Sequence, residues 1–307
     1  MAATGSPAQT FGVPPELTAT FAAQGAVATS SQILLHLSRR DMQRLLRTGQ
    51  LTRILPGIYC CGAPDVITRL RGLELRCGTH VAVCLSTAAA VFGFDTEDVT
   101  DLHVLNPKGH LLRNQPGLVV HRRDGAPLTS YRGRRLTTPA WTAVEVSRSV
   151  RRPRALATLD AALRSATCDR RDLLAAAAAQ SGRRGIVTVR QLIPMARPES
   201  ESPMESEARL AMLDGGLPEP TLQFEIVDRD GLVWRVDFAW PECRVAVEYE
   251  GFDWHSSPEA LRRDRQKRAA LEEIGWRVVS IVSHDVRRQP DVMVRRIDAQ
   301  LSRALAA

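Results

Sequence analysis

Between Val233 and Glu250 the chain carries two β-prone runs, Val-Trp-Arg-Val-Asp-Phe-Ala and Arg-Val-Ala-Val-Glu-Tyr-Glu, separated by Trp240-Pro241-Glu242. Apolar, β-branched and aromatic residues interrupted by a proline predict two strands joined by a tight turn. A turn centred on Pro241 and Glu242 pairs Asp237 opposite Ala246. Side chains alternate between faces, so Asp237, Ala246, Glu248 and Glu250 then share one face, with Glu248 diagonal to Asp237. Val236, Phe238, Val245 and Val247 fall on the other. Three acids on one face repel at neutral pH, and the arrangement costs stability unless a cation offsets it. Diagonal neighbours lie roughly 7–8 Å apart at the backbone, within reach of one Mg²⁺ (or Mn²⁺) held at about 2.0–2.1 Å. The alternative is a set of exposed acids on a two-sided hairpin.

The flanking sequence extends this hairpin into a longer order of elements. Met204 to Asp214 is a helix candidate carrying Glu205, Glu207 and Arg209 and ending at Gly215-Gly216. Thr221–Val227, Leu232–Ala239 and Arg244–Tyr249 read as strands, Pro258–Ile274 as a charged helix and Trp276–Val282 as a fourth strand. The order α-β-β-β-α-β, with an acid on the first helix, Asp on the second strand and Glu-x-Glu on the third, resembles the core of the PD-(D/E)XK nuclease fold. Glu205-Ser206, Arg209, Gly216-Leu217-Pro218, Pro220, Gln223, Val236-Asp237, Trp240-Pro241, Val247–Gly251, His255, Asp264, Arg268 and Gly275-Trp276 are similar to Vsr-like endonuclease domains.

That resemblance implies a metal-dependent phosphodiester hydrolysis, in which an ion neutralises charge on the phosphate and acidifies the attacking water. Asp237 and Glu248 are then the primary metal ligands, and Glu205 completes the shell or holds a metal-bound water. Glu250 stands where the family's name has lysine, and an acid there is compatible with catalysis. His255 is either a proton carrier, suited by its ordinary pKa of about 6.5, or a surface histidine beside Trp254. Lys267 either supplies a displaced lysine from the following helix or joins Arg262, Arg263, Arg265 and Arg268 on a basic face that touches DNA backbone.

Towards the N-terminus, Gln32–Leu37 is a short helix candidate, and Ser38 opens a second helix with Asp41 three residues on and Gly49 as the stop. Leu37, Met42, Leu45 and Leu46 form its apolar stripe, while Arg39, Arg40, Arg44 and Arg47 sit on or beside the opposite face. Leu51–Tyr59 reads as a hairpin turning at Pro56-Gly57. Two helices, the second basic, followed by a β-wing make a winged helix-turn-helix. Ser38-Arg39-Arg40-Asp41, Leu45–Leu51 and Pro56–Tyr59 resemble the N-terminal domain of AbiEi-type antitoxins, which binds operator DNA. The resemblance implies that Arg39, Arg40 and Arg44 face the major groove and that Arg47 and Arg53 meet phosphates. An arginine-rich surface helix is the alternative.

Cys61 to Ala196 is less informative. Thr79–Phe92 reads as a helix, Leu102–Leu105 and Leu118–Arg122 as strands, Pro139–Leu173 as mainly helical, and the alanine run 175–179 as its continuation. His103, His110 and His121 match no standard metal spacing. The polar segment Arg197–Pro203 reads as a linker. The expected organisation is a multidomain α+β or α/β chain: a winged helix at 1–62, a mixed middle region at 63–198 and an αβββαβ restriction-endonuclease-like core at 199–307.

Composition narrows the partners. The net charge is +7, and ten arginines against Asp124 and Glu145 between Arg113 and Arg154 account for that excess. Such a segment is either a solvated surface or a phosphate-facing patch. The 41 basic residues include only two lysines, Lys108 and Lys267, an imbalance that fits GC-rich coding. The start lacks the basic and apolar regions of a signal peptide, and no run approaches the ~20 apolar residues of a membrane span, so a cytoplasmic bacterial protein is expected. The six cysteines contain no CxxC pair and read as reduced thiols.

Two functions compete on these grounds. One is a DNA-binding protein with a Mg²⁺-dependent endonuclease domain. The other is a non-catalytic regulator, akin to an antitoxin repressor, with a degenerate nuclease fold. A second copy of the chain, a toxin, or a restriction or repair protein are the further partners this organisation allows.

Overall fold

A computed structural model describes residues 14–94, 97, 100–122, 125–251 and 258–306. In chain order its elements are α1 (Pro15–Ala23), β1 (Val27–Thr29), α2 (Ser30–Leu34), α3 (Arg39–Arg47), β2 (Leu51–Leu55), β3 (Ile58–Cys61), α4 (Val66–Cys77), α5 (Leu85–Phe92), β4 (Leu102–Leu105), β5 (Leu118–His121), β6 (Leu128–Tyr131) and β7 (Arg134–Thr137). There follow α6 (Pro139–Ser149), α7 (Arg152–Arg164), α8 (Arg170–Ala179), α9 (Ile186–Leu192), α10 (Pro203–Asp214), β8 (Thr221–Val227), β9 (Val233–Trp240), β10 (Val245–Glu250), α11 (Pro258–Glu273), β11 (Arg277–Val282), α12 (Ser283–Arg288) and α13 (Pro290–Leu305). The architecture is mixed α and β with several small sheets. It divides into two compact units, residues 1–88 with 99–137, and residues 89–98 with 138–307.

In the first unit α1 to β3 share a core of Leu17, Phe21, Ala28, Ile33, Met42, Leu45 and Leu51. The expected hairpin is present, with Leu55 opposite Ile58 and Gly57 at a φ of +80°, a left-handed conformation that glycine adopts without cost. Strand β1 was not legible because it is three residues long; it pairs β3 antiparallel and completes a sheet of order β1-β3-β2. Helix α2 starts at Ser30 rather than Gln32. There the Thr29 hydroxyl accepts the Gln32 N–H at 3.2 Å and the Gln32 side-chain Oε1 accepts the Thr29 N–H at 2.9 Å.

Further along this unit, β4 and β5 pair in parallel and β6 and β7 form an antiparallel hairpin. The helix expected from Thr79 begins only at Leu85. Val83 is bridged to both Val104 and Leu136, and its N–H donates to the Arg135 carbonyl at 3.0 Å. Extended backbone at Val83 thus joins the two small sheets at the expense of a helical turn.

The second unit places α10 against both α7 and α13. A four-stranded sheet of order β11-β10-β9-β8 is antiparallel except for the parallel pair β10–β11. One face buries Phe238, Trp240, Val245, Val247 and Ile281 against Met212 of α10 and Met293, Ile297 and Leu301 of α13. The other buries Trp234, Val236 and Ala246 against Leu271 of α11. Each large apolar side chain so removed from water contributes about 1.5–3 kcal/mol.

The segment read as a linker is packed within this unit. The Arg197 N–H donates to Asp160 Oδ1 at 2.7 Å, the Ser200 carbonyl accepts from the Arg164 guanidinium, and Ser200 is 1% exposed. Helices α6 to α9, which the sequence assigns to the middle region, therefore lie in the same unit as α10 and the sheet.

Candidate functional site

The turn after β9 is longer than the sequence implies. Pro241–Cys243 form one 3-10 turn and Arg244 follows at a φ of +46°, so Trp240 pairs Val245 and Phe238 pairs Val247. This register sets Asp237 level with Glu248, not with Ala246. The shift of two residues leaves the two acids on neighbouring strands and brings them closer than the diagonal arrangement would.

The alternation of faces also breaks at this point. Val236 belongs to the core under α11, whereas Phe238 belongs to the core under α10 and α13. On the neighbouring strand Leu222 and Phe224 divide in the same way. Between them Gln223 has a φ of +48°, a left-handed conformation that a non-glycine residue adopts at a cost of order 1 kcal/mol or more. The expectation that Val236 shares a face with Phe238, Val245 and Val247 is therefore corrected. The β9–β10 ladder stops at Phe238–Val247, and the next N–H, that of Tyr249, is accepted by Asp237 Oδ2 at 2.8 Å.

Four side chains gather around this break. Glu248 is paired with Lys267 of α11, whose ammonium also donates to the Arg235 carbonyl at 2.6 Å. Glu205, on the first turn of α10, accepts from the Glu201 N–H at 2.8 Å and from Gln223 Nε2 at 3.0 Å. Its own N–H donates to the Ser202 hydroxyl at 3.1 Å, so Glu205 is part of the helix cap as well as a neighbour of the acid pair. Gln223 Oε1 is buried and has no hydrogen-bond partner among the described residues.

The electrostatics follow from burial. Desolvation pushes the carboxyl of Asp237 above the usual range, opposed by the Tyr249 N–H and then by Lys267 and Arg235. Desolvation likewise raises Glu248, opposed chiefly by Lys267. Glu205 is raised by burial too, with its bonds to Glu201 and Ser202 opposing and the charge of Asp237 adding. Half-buried Asp237 and Glu248 beside one ammonium, with the buried Glu205 carboxyl within electrostatic reach of Asp237, form a region where positive charge is favourable.

The other residues named from the sequence fall in different places. Glu250 is exposed at the end of β10, and no described hydrogen bond or ion pair links it to Asp237, Glu248 or Glu205. His255 lies outside the described residues. Lys267, considered as a DNA-backbone contact, is turned onto Glu248, while Arg268 is exposed and donates to the Ser280 hydroxyl. Among the described residues no three His, Cys, Asp or Glu side chains converge as a metal-holding group, so Glu205 does not join Asp237 and Glu248 in a single three-acid cluster. Gln223 was quoted only as part of a resemblance; nothing in its residue type foretells a left-handed backbone.

In the first unit, α3 is amphipathic as expected. Met42 and Leu45 are buried, and Arg39, Arg40, Arg44 and Arg47 are exposed, as is Arg53 on β2. The Ser38 hydroxyl accepts the Asp41 N–H at 3.1 Å and caps the helix. Arg44 lies 3.5 Å from Asp41, a surface pair worth at most about 1 kcal/mol. The six cysteines are all free, and burial pushes the thiols of Cys60 and Cys168 up to about 11 and about 12. No helix of the described residues is long and apolar enough to cross a membrane.

Comparison with known proteins assigns two of these regions. Residues 81–195 match the AbiEi antitoxin C-terminal domain, which gives a family likeness to the middle region that the sequence left without a role. Residues 230–301, from β9 through most of α13, match the restriction-endonuclease-like family REase_MTES_1575. Two relatives from Mycobacterium tuberculosis, "Uncharacterized protein MT2308" of strain CDC 1551 / Oshkosh and "Uncharacterized protein Rv2248" of strain ATCC 25618 / H37Rv, are each 50% identical over 271 residues. The alignment covers 88% of this chain and 100% of each relative. The chain therefore belongs to the family of these mycobacterial proteins, with an AbiEi-antitoxin-like segment followed by a restriction-endonuclease-like one.

Proposed function

We propose that the protein is a DNA-binding protein in which residues 199–307 form a Vsr-like, Mg²⁺-dependent endonuclease domain of the PD-(D/E)XK type. The observation that carries this reading is the set Asp237, Glu248 and Lys267 at the break in the sheet, with Glu205 beside it. The order α10-β8-β9-β10-α11-β11 and the parallel β10–β11 pair support the same core topology.

The donor set fits a hard divalent cation, because Mg²⁺ is typically held by one or two carboxylates plus water and substrate phosphate. Gln223 Oε1, a buried acceptor lacking a donor, suits a site that also holds ordered water. Asp237 and Glu248 are the residues to hold Mg²⁺ or Mn²⁺; Glu205 orients water at one remove. When bound, such an ion stabilises charge on the phosphate and lowers the pKa of the attacking water. Lys267 holds Glu248 in place and supplies positive charge beside the phosphate, the role that the family's lysine has and that Glu250, exposed at the strand end, does not fill.

The first unit supports a winged helix-turn-helix, through the order α1-β1-α2-α3-β2-β3 and the exposed arginines of α3. In this reading Arg39, Arg40 and Arg44 meet base edges and Arg47 and Arg53 phosphates. The match to an antitoxin domain favours a second reading, a regulator that binds DNA or a toxin without cutting. Lys267 seated on Glu248 is compatible with it, since fold does not guarantee chemistry.

The test is incubation of purified protein and Asp237→Ala with supercoiled and linear DNA, in Mg²⁺, Mn²⁺ or EDTA. The nuclease reading expects metal-dependent nicking that falls at least a hundredfold in the variant. Cleavage of equal rate by both proteins sinks the site assignment, and binding that ignores the metal in the absence of any cleavage favours the regulator.

A further inference from the structure

A cavity lies in the first unit, far in sequence from the acids of the sheet. It has a volume of about 490 Å³, within the usual range for small-molecule sites of roughly 300–1,000 Å³. Its walls come from the segment before α5 (Thr79, His80, Ala82), the end of β4 and the loop after it (Leu105 to Lys108), the end of β5 (His121, Arg122), the start of β6, and Arg135 of β7. Strands β4 and β5 are parallel and end at Leu105 and His121. The cavity thus opens at the carboxyl ends of this parallel pair.

Among the described lining residues its charge is of one sign. Lys108, Arg122 and Arg135 line it, and no carboxylate is among the described lining residues or pairs with these three among the described residues. The segment of excess arginine thereby acquires a focus: Arg122, just past β5, and Arg135 of β7 line one cavity, and Lys108 is added from the loop after β4. All three side chains are exposed, so solvent screens their mutual repulsion, and they are free to meet an anion, guanidinium groups matching phosphate oxygens in geometry.

The loop bearing Lys108 is held in shape before any ligand arrives. Asn106 Nδ2 donates to the His110 carbonyl at 2.6 Å, and Asn106 Oδ1 accepts the Leu112 N–H at 2.9 Å. The Asn106 N–H donates to the His121 carbonyl at 2.9 Å, tying this loop to the end of β5. His121 is fixed in turn by His103, with Nδ1 of His103 and Nε2 of His121 at 3.0 Å. Leu105, Pro107 and Leu128 supply an apolar wall beside the cations.

We propose that this cavity binds a phosphate-bearing ligand of nucleotide size, the phosphate on Lys108, Arg122 and Arg135 and the less polar part against Leu105, Pro107 and Leu128. The same chemistry is offered by a free mononucleotide and by a nucleotide unit of a nucleic acid. The site is independent of the acids of the second unit and of the α3 arginines, so it stands whichever functional reading holds.

The experiment is calorimetric or fluorescence titration of the full chain at fixed ionic strength with inorganic phosphate, AMP, GMP and a short oligonucleotide. The wild type is compared with Arg122→Ala/Arg135→Ala, with Lys108→Ala, and with Arg113→Ala as a control for net charge at an exposed position outside the cavity. Saturable binding of a mononucleotide that weakens at least tenfold in the first two variants and less than twofold in the control supports the site with a free ligand. The same pattern for the oligonucleotide alone supports it with nucleic acid as the source. Absence of saturable binding by any probe, or equal weakening by Arg113→Ala, overturns the proposal. Lys108→Ala, a single change at an exposed side chain, keeps the test valid if the double variant fails to fold.

Discussion

Arg209 of α10 and Asp160 of α7 form an ion pair of 2.6 Å in which both side chains are 0% exposed. Asp160 is further bonded to the Arg197 N–H, and Arg209 donates to the Met195 carbonyl at 2.7 Å. The pair therefore fastens the middle of α10, one turn after Glu205, to the helices before it. Glu207, 3% exposed on the same helix, adds a second fastening through Arg154 at 2.9 Å and Arg287 at 2.9 Å.

Breaking one partner of such a pair leaves a charge buried without compensation, which costs about 3–5 kcal/mol. Asp160→Ala is expected to destabilise the second unit by that order, read from denaturant unfolding. Asp160→Leu with Arg209→Met, which removes both charges, is expected to recover most of the loss. A single variant as stable as the wild type would remove the pair from the account of how α10 is positioned.

How much of this arrangement the sequence discloses depends on range. The strands β8 to β11 and helix α10 were legible within a residue or two, because their apolar patterns are set by local burial on a sheet face or helix stripe. The Asp237–Glu248 register was off by two, because Arg244 adopts a left-handed conformation that no residue preference signals. Segment 197–203 has a linker's composition, yet the Arg197 N–H and the Ser200 carbonyl are bonded to Asp160 and Arg164, partners more than thirty residues away. Lys267 was noticed as one of two lysines, but only the packing of α11 on the sheet shows that it reaches Glu248.

The raised carboxyls make stability depend on pH in a defined direction. Unfolded Asp and Glu ionise near pH 4, whereas burial holds native Asp237 and Glu248 above that. Below both values the acids are protonated in either state and no penalty exists. As pH rises past the unfolded values the unfolded chain gives up its protons first, so native stability falls until the native groups ionise as well, and it then stays lowered. In metal-free buffer Asp237→Asn, which keeps an acceptor for the Tyr249 N–H, is expected to melt above the wild type at pH 7, with the gap closing towards pH 3.5. Adding Mg²⁺ should raise the wild-type midpoint and leave that of the variant in place. A gap that widens on acidification would contradict the burial argument.

Lys267 and Arg268 are adjacent on α11 yet are expected to behave differently. Replacing Lys267 by Met removes the ammonium from Glu248 and should reduce cleavage at least tenfold with little change in DNA affinity. Arg268→Ala, at an exposed side chain, should change cleavage less than twofold. Cleavage rates and binding constants measured at one salt concentration separate the two; equal effects of both variants on affinity alone would return Lys267 to the role of a backbone contact.

The arginines of α3 and Arg53 of β2 are expected to divide by what they meet. Phosphate contacts release counterions, so each one lost lowers the slope of log K against log salt by about 0.9 and weakens all sequences alike. Arg47→Ala with Arg53→Ala should therefore flatten that slope without altering preference among sequences. Arg39→Ala with Arg40→Ala should instead lose discrimination, because each bidentate contact to a base edge is worth about 1–3 kcal/mol against the wrong base. The measurement is titration of the full chain with its selected binding sequence and with a scrambled duplex over several salt concentrations. Equal loss on both duplexes for Arg39 and Arg40 would place those residues on phosphate, and unchanged affinity for all four would take α3 off the DNA.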